Sequence, residues 1–138
     1  LLLVATSACG PFPRDPEGTL EEVEGQLMRV GAAESPPTLR RSGDGAAGPE
    51  AELVESFARS LGARVEWSWI GTEEALHRLE RFDLHLVAGG LTRGTPWKAH
   101  VGLSRPWRGQ GDTARVLAVP PGENRFLVAL DRHIESRP

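Results

Sequence analysis

The chain has 138 residues, enough for one domain built on one hydrophobic core. Leu, Ile, Val and Phe make up about a quarter of it, above the level at which disorder becomes the default. Charged residues account for 25%, the net charge is −3 and there is one cysteine, which excludes an internal disulfide and a thiolate metal cluster and argues against a nucleic-acid partner.

Residues 1–9 open with Leu1-Leu2-Leu3-Val4-Ala5-Thr6-Ser7-Ala8-Cys9. An apolar run that closes on small residues reads as the end of a signal peptide. Thr6-Ser7-Ala8-Cys9 resembles the lipobox of bacterial lipoproteins, with Thr6 where that motif usually has Leu. The likeness implies a lipid on Cys9, a place in the periplasm or cell envelope, and membrane contact through a lipid anchor only. Without that likeness the run reads as an N-terminal strand with an incidental Cys. Residues 10–24 carry Pro11, Pro13 and Pro16 and read as a tether, ending in a short helical lead-in from Leu20.

Residues 25–138 read as one lobe. Leu27 to Ala32 is an apolar run between Gly25 and Glu34-Ser35-Pro36-Pro37, which predicts a buried strand. Leu39 to Gly48 is polar and rich in turn residues, and predicts a loop. Pro49 suits the first turn of a helix whose apolar face is Leu53, Val54, Phe57, Ala58 and Leu61, with Gly62 as its stop. Over Ala63 to Ile70, Val65, Trp67 and Trp69 alternate with polar residues, the period of a half-covered strand. Thr72 is placed to cap a second helix that buries Ala75, Leu76, Leu79 and Phe82. Leu84 to Ala88 is a third strand, ending in Gly89-Gly90. A short strand near Val101 to Leu103, an extended run Ala114 to Val119 and a helix from Gly122 burying Phe126, Leu127, Leu130 and Ile134 complete the chain. Strands alternating with helices predict an α/β fold, a mostly parallel sheet of about five strands with helices on both faces.

Chemistry-bearing motifs are sparse. His77, His85, His100 and His133 have no metal-ligand spacing, and no nucleophile-elbow, phosphate-loop or dinucleotide motif is present, so no metal, no cofactor and no enzymatic activity are expected. Trp67 and Trp69 share a strand face and read as core. In an open parallel sheet, ligands bind beyond the carboxyl ends of the strands. Those ends carry Ala33-Glu34-Ser35-Pro36-Pro37 and Gly89-Gly90-Leu91-Thr92, the second of which lets backbone and a hydroxyl approach a small polar ligand or forms an ordinary glycine turn.

Five stretches, in this order and spacing, resemble the polar amino-acid-type periplasmic solute-binding proteins of ABC importers. They are Leu27-Met28-Arg29-Val30-Gly31 with Pro36-Pro37; Gly48-Pro49-Glu50-Ala51-Glu52-Leu53; Leu61-Gly62-Ala63-Arg64-Val65-Glu66-Trp67; Phe82-Asp83-Leu84 through Gly89-Gly90-Leu91-Thr92, Thr95-Pro96-Trp97 and Ser104-Arg105-Pro106-Trp107; and Val119-Pro120-Pro121-Gly122-Glu123-Asn124. Family members have two lobes. Here Arg108 to Thr113 is all that separates Trp107 from the closing strand, so the resemblance covers the first lobe only. It implies a ligand site at Gly90, Leu91, Thr92 and Lys98. Lys98 stands nearest to the arginine that in the family clamps an amino acid's carboxylate, and supplies charge without the two-pronged geometry.

The resulting expectation is an exported lipoprotein with weak or vestigial binding of a small polar solute such as an amino acid, with an ABC permease as partner and a homodimer as one way to replace the missing lobe. The alternative is an interaction module that binds a protein or peptide through the exposed cleft face. A binding lobe should keep a polar concavity there, and an interaction module an apolar patch.

Overall fold

The computed structural model describes residues 12–137. Cys9 and the run before it lie outside the described residues. The elements are α1 (Thr19–Val23), β1 (Leu27–Ala32), β2 (Arg40–Ser42), β3 (Gly45–Ala47), α2 (Pro49–Ser60), β4 (Arg64–Trp69), α3 (Thr72–Glu80), β5 (Leu86–Ala88), β6 (Gly102–Leu103), β7 (Ala118–Val119) and α4 (Asn124–Ser136). None of the described helices is long and apolar enough to cross a membrane.

Five strands form one sheet in the order β4-β1-β5-β7-β6. β4 and β5 pair parallel to β1, and β7 runs antiparallel to both β5 and β6. Four strands therefore share one direction, and the closing strand inserts between the third strand and the short one. Alternation along β1 sends Met28, Val30 and Ala32 into a core shared with Leu53, Val54 and Phe57 of α2 and Phe126 and Leu130 of α4. On the opposite face Ala75, Leu76 and Leu79 of α3 pack with Val87, Leu91 and Val116. Helices thus cover both faces of an α/β lobe. Trp67 and Trp69 stack at 5.8 Å on the first of these cores, and the Trp67 indole N–H donates to Glu55 at 2.9 Å.

Several elements differ from expectation. The segment read as tether and lead-in docks on the lobe from Asp15 onward, because α1 and α4 cap each other. Glu123, just before α4, accepts from the Thr19 hydroxyl at 2.6 Å and from the backbone N–H of Thr19 and Glu17. Asp15 in turn accepts from the backbone N–H of Leu20 and of Phe126, each at 2.9 Å. Both carboxylates fill N-terminal donors that a helix leaves open.

The predicted loop from Leu39 to Gly48 holds the β2–β3 hairpin, turning at Gly43-Asp44, and its outward Arg40 and Arg41 hide it from any apolar period. Thr72 is already helical, and the residue before α3 is Gly71, with no side-chain cap. Phe82 lies past α3 at φ 65°, half-buried, where the Asp83 N–H closes the helix on the Arg78 carbonyl. In the run from Ala114 the strand itself is Ala118–Val119; the Ser104 hydroxyl takes the Leu117 N–H in place of a backbone carbonyl, and pairing continues before it as separate bridges at Arg115.

Candidate functional site

The chain leaves β1 through α2 to β4 on one side, then returns through α3 to β5 on the other. That reversal opens a crevice between the carboxyl ends of β1 and β5, the place where open α/β sheets take ligands. Ala33-Glu34-Ser35 line it from β1 and Gly89-Gly90 from β5. Because β7 runs against β5, the residues before β7 reach the same end, and Arg115 is bridged there to Thr92 and Arg108. The Arg115 guanidinium is half-buried and donates through Nη1 to Ser35 Oγ at 3.2 Å.

Behind the turn sits Glu50, in the first turn of α2 and 0% exposed. Its Oε1 accepts from the Gly89 N–H at 3.2 Å, and its Oε2 has no partner. Burial raises its pKa above the ordinary 4.5, and the hydrogen bonds from the turn and the charge of Arg115 oppose that rise. A carboxyl with a raised pKa holds its proton more tightly folded than unfolded. Its contribution is therefore full below about pH 4.5 and is lost as pH rises toward the folded value. Relative to Glu50→Gln, the wild-type protein should lose stability progressively as pH rises from 4.5. Urea denaturation of both proteins between pH 4 and 8 measures this. A pH-independent difference would show that Glu50 does not titrate in that window.

The residues predicted from sequence fall in two places. Gly90 faces Ser35 and Arg115, and Thr92 is the bridge partner of Arg115. Leu91 points into the core, and its carbonyl already accepts the Val116 N–H. Lys98 is exposed in a single helical turn, Pro96–Ala99, and lines a cavity of about 820 Å³ beside β6 with Arg93, Arg105, Asp112, Asp131 and Glu135. None of Gly90, Leu91 and Thr92 lines that cavity. Sequence reasoning placed Ser35 at a ligand-facing strand end without assigning it a contact, and it assigned no site role to Arg115 or Glu50. The available signal for Arg115 was one charge inside the otherwise apolar run from Ala114 to Val119.

The histidines stand apart from the crevice. Buried His85 accepts the Arg29 N–H at 2.9 Å, and burial lowers its pKa. His77 and His100 flank Trp97. His133 Nε2 lies 2.7 Å from Ser56 Oγ, which is also 3.0 Å from the Leu53 carbonyl, so the pair ties α4 to α2 away from the crevice. Among the described residues no group of three or more His, Cys, Asp or Glu is placed to hold a metal.

No model of a known protein family matches the chain. Over 95 residues, 67% of the chain, it is 37% identical to membrane-bound lytic murein transglycosylase F 2 of Alkalilimnicola ehrlichii, of which it spans 21%. Among solved structures it is similar to the arginine-bound form of domain 1 from TmArgBP, with a TM-score of 0.72, 19% identity, and coverage of 80% of this chain and 93% of that one. It is also similar to the unliganded, open L-cystine solute receptor of Neisseria gonorrhoeae, with a TM-score of 0.68, 12% identity, and coverage of 85% and 90%. The fold is that of a single lobe of the polar amino-acid solute-binding kind.

Proposed function

We propose that this lobe captures a small polar solute of the amino-acid class, weakly, as part of an exported protein held at the cell envelope through Cys9. The crevice at the strand-order reversal carries the reading, because its lining of glycine backbone, Ser35, Thr92 and Arg115 is polar. Among the described residues the exposed large apolar side chain is Phe12, which belongs to the N-terminal lead-in, so a flat apolar docking face at the crevice finds no support. Domain 1 of TmArgBP, solved by itself in an arginine-bound form, supports capture by a lone lobe. Transport through an ABC permease, without catalysis by the lobe itself, extends this reading. Gly90, Leu91, Thr92 and Lys98 are its proposed contacts, Leu91 through backbone.

A second reading follows from the likeness to the transglycosylase. This chain spans about a fifth of that protein, and a lobe used as a module of a larger envelope protein would meet a protein or peptide at the same crevice.

Affinity separates the two. Closed two-lobed receptors surround the solute and exclude water, and a lone lobe forfeits about half of those contacts. Keeping half of a micromolar receptor's roughly 8 kcal/mol leaves a dissociation constant of about 1 mM. Amino acids should therefore bind the monomer no tighter than about 0.1 mM by calorimetry. A submicromolar, saturable amino acid on a monodisperse monomer would overturn the single-lobe argument. Tight binding confined to a dimer would mean that a second copy supplies the contacts of a second lobe. Saturable binding of short peptides but of no amino acid would favour the module.

A further inference from the structure

We propose that the outer edge of β4 is a self-pairing surface, to which a second copy of this chain adds its own β4 antiparallel, centred on Val65. The inference is independent of the preceding reading. Three observations carry it.

The first is an open row of backbone groups. β4 stands at one end of the sheet and pairs with β1. The Arg64 N–H donates to the Gln26 carbonyl and the Ile70 N–H to the Ala32 carbonyl, so residues 64, 66, 68 and 70 turn their backbone toward β1. Val65, Trp67 and Trp69 turn theirs outward. Among the described residues, their N–H and carbonyl groups have no hydrogen-bond partner. The opposite end of the sheet is β6, only Gly102–Leu103, whereas β4 runs for 6 residues without a proline. An open edge of that length is a template for another strand.

The second is charge. Arg64 and Glu66 are exposed, and among the described residues neither has an ion-pair partner. Val65 and Trp67 pack on the core shared with α2, so Arg64 and Glu66 lie together on the opposite face. In an antiparallel pair, directly opposed residues share a face and interact. Centring the pair on Val65 sets Arg64 of each copy opposite Glu66 of the other. Centring it on Arg64 or on Glu66 opposes like charges. Centring it on Trp67 leaves Arg64 opposite Ile70 and Glu66 opposite Ser68. The charges therefore select one register. They also select this chain as the partner, because the pattern about Val65 is self-complementary under a two-fold axis.

The third is the fit of donors to acceptors in that register. Each Val65 exchanges its N–H and carbonyl with its counterpart, the closely spaced bonds of an antiparallel ladder. The Ala63 N–H is held by the Ala58 carbonyl at 2.9 Å, but the Ala63 carbonyl has no partner among the described residues. Each Trp67 N–H meets that carbonyl on the second copy. Because the two β4 strands run in opposite directions, the two crevices open at opposite ends of the joined sheet. Such a dimer does not close either one.

The test uses the folded chain. Sedimentation velocity across about a hundredfold range of concentration should show a monomer–dimer equilibrium. Glu66→Arg and Arg64→Glu each oppose like charges, and each should raise the dimer dissociation constant at least about tenfold. Combining the two reversals restores opposed pairs and should return the constant to within about threefold of wild type. Hydrogen exchange on the wild-type protein locates the contact without any variant. The Val65 and Trp67 amides should exchange more slowly as concentration rises, whereas the Glu66 amide, already turned toward β1, should not change. A monomer at every concentration, or a dimer that leaves the Val65 and Trp67 amides unprotected, overturns the edge. Protection of those amides only on adding a short extended peptide would give the edge to a foreign strand and likewise overturns self-pairing. Single reversals that dimerise like wild type, or a double reversal that fails to recover, overturn the register centred on Val65.

Discussion

Gly89→Ala should destabilise the lobe by at least about 3 kcal/mol, a large part of the ~5–15 kcal/mol that holds a domain folded. Gly89 sits at φ +119°, a conformation that L side chains rarely adopt. The residue also lies against β1's exit. A Cβ there would stand 2.1 Å from the Ala33 carbonyl oxygen, and 2.9 Å from both the carbonyl carbon and the nitrogen of the same residue. Those are backbone atoms, and Ala33 is itself held by its N–H to the Ala88 carbonyl at 3.2 Å, so neither partner can swing aside as a flexible side chain would. Relief would require separating β1 from β5 where the crevice begins, and would break the Gly89–Glu50 hydrogen bond as well. Urea denaturation monitored by tryptophan fluorescence provides the measurement. A loss below about 1 kcal/mol would mean that the turn adopts another path in solution and that the crevice is not built as described.

Leu130→Ala is expected to cost about 2–5 kcal/mol, the usual range for a buried leucine. α4 packs beside α2 and against β6, and its Phe126 and Leu130 enter the core shared with β1 and α2. Leu130 and Phe126 are both 0% exposed, and the Phe126 ring packs on Phe57 of α2 at 5.6 Å between centroids. Removing three carbons there leaves a cavity in the core that also holds Phe57, Leu117 and Val119, and close-packed sheet and helix cannot fully fill it. An exposed neighbour supplies the comparison, and Arg132→Ala should stay within about 0.5 kcal/mol. A Leu130→Ala shift below about 0.5 kcal/mol would remove α4 from the core and with it the closure of the lobe.

Much of the scaffold was legible because its signals are local. β1 is bounded by Gly25 and Glu34-Ser35-Pro36, and its observed range, Leu27–Ala32, is the apolar run itself. α2 begins at Pro49 and shows its core face at a helical step, so periodicity and punctuation agree. Elements without an apolar period escaped. The β2–β3 hairpin pairs Arg40 with Ala47 and Arg41 with Ala46, which resembles a loop until the two strands are seen together.

The site divides along the same line. That the Gly89-Gly90 turn stands at the carboxyl end of a strand was legible in the sequence, because the apolar run from Leu84 to Ala88 stops there. That the charged group at this turn is Arg115 was decided by tertiary structure. Arg115 and Ser35 are 80 positions apart, and Glu50 and Gly89 are 39 apart. Periodicity records which face of each element is buried, a property of a few neighbouring residues. Which side chains from distant segments converge depends on strand order, direction and register, and those are settled only when all five strands and their covering helices minimise exposed apolar surface and unpaired backbone together.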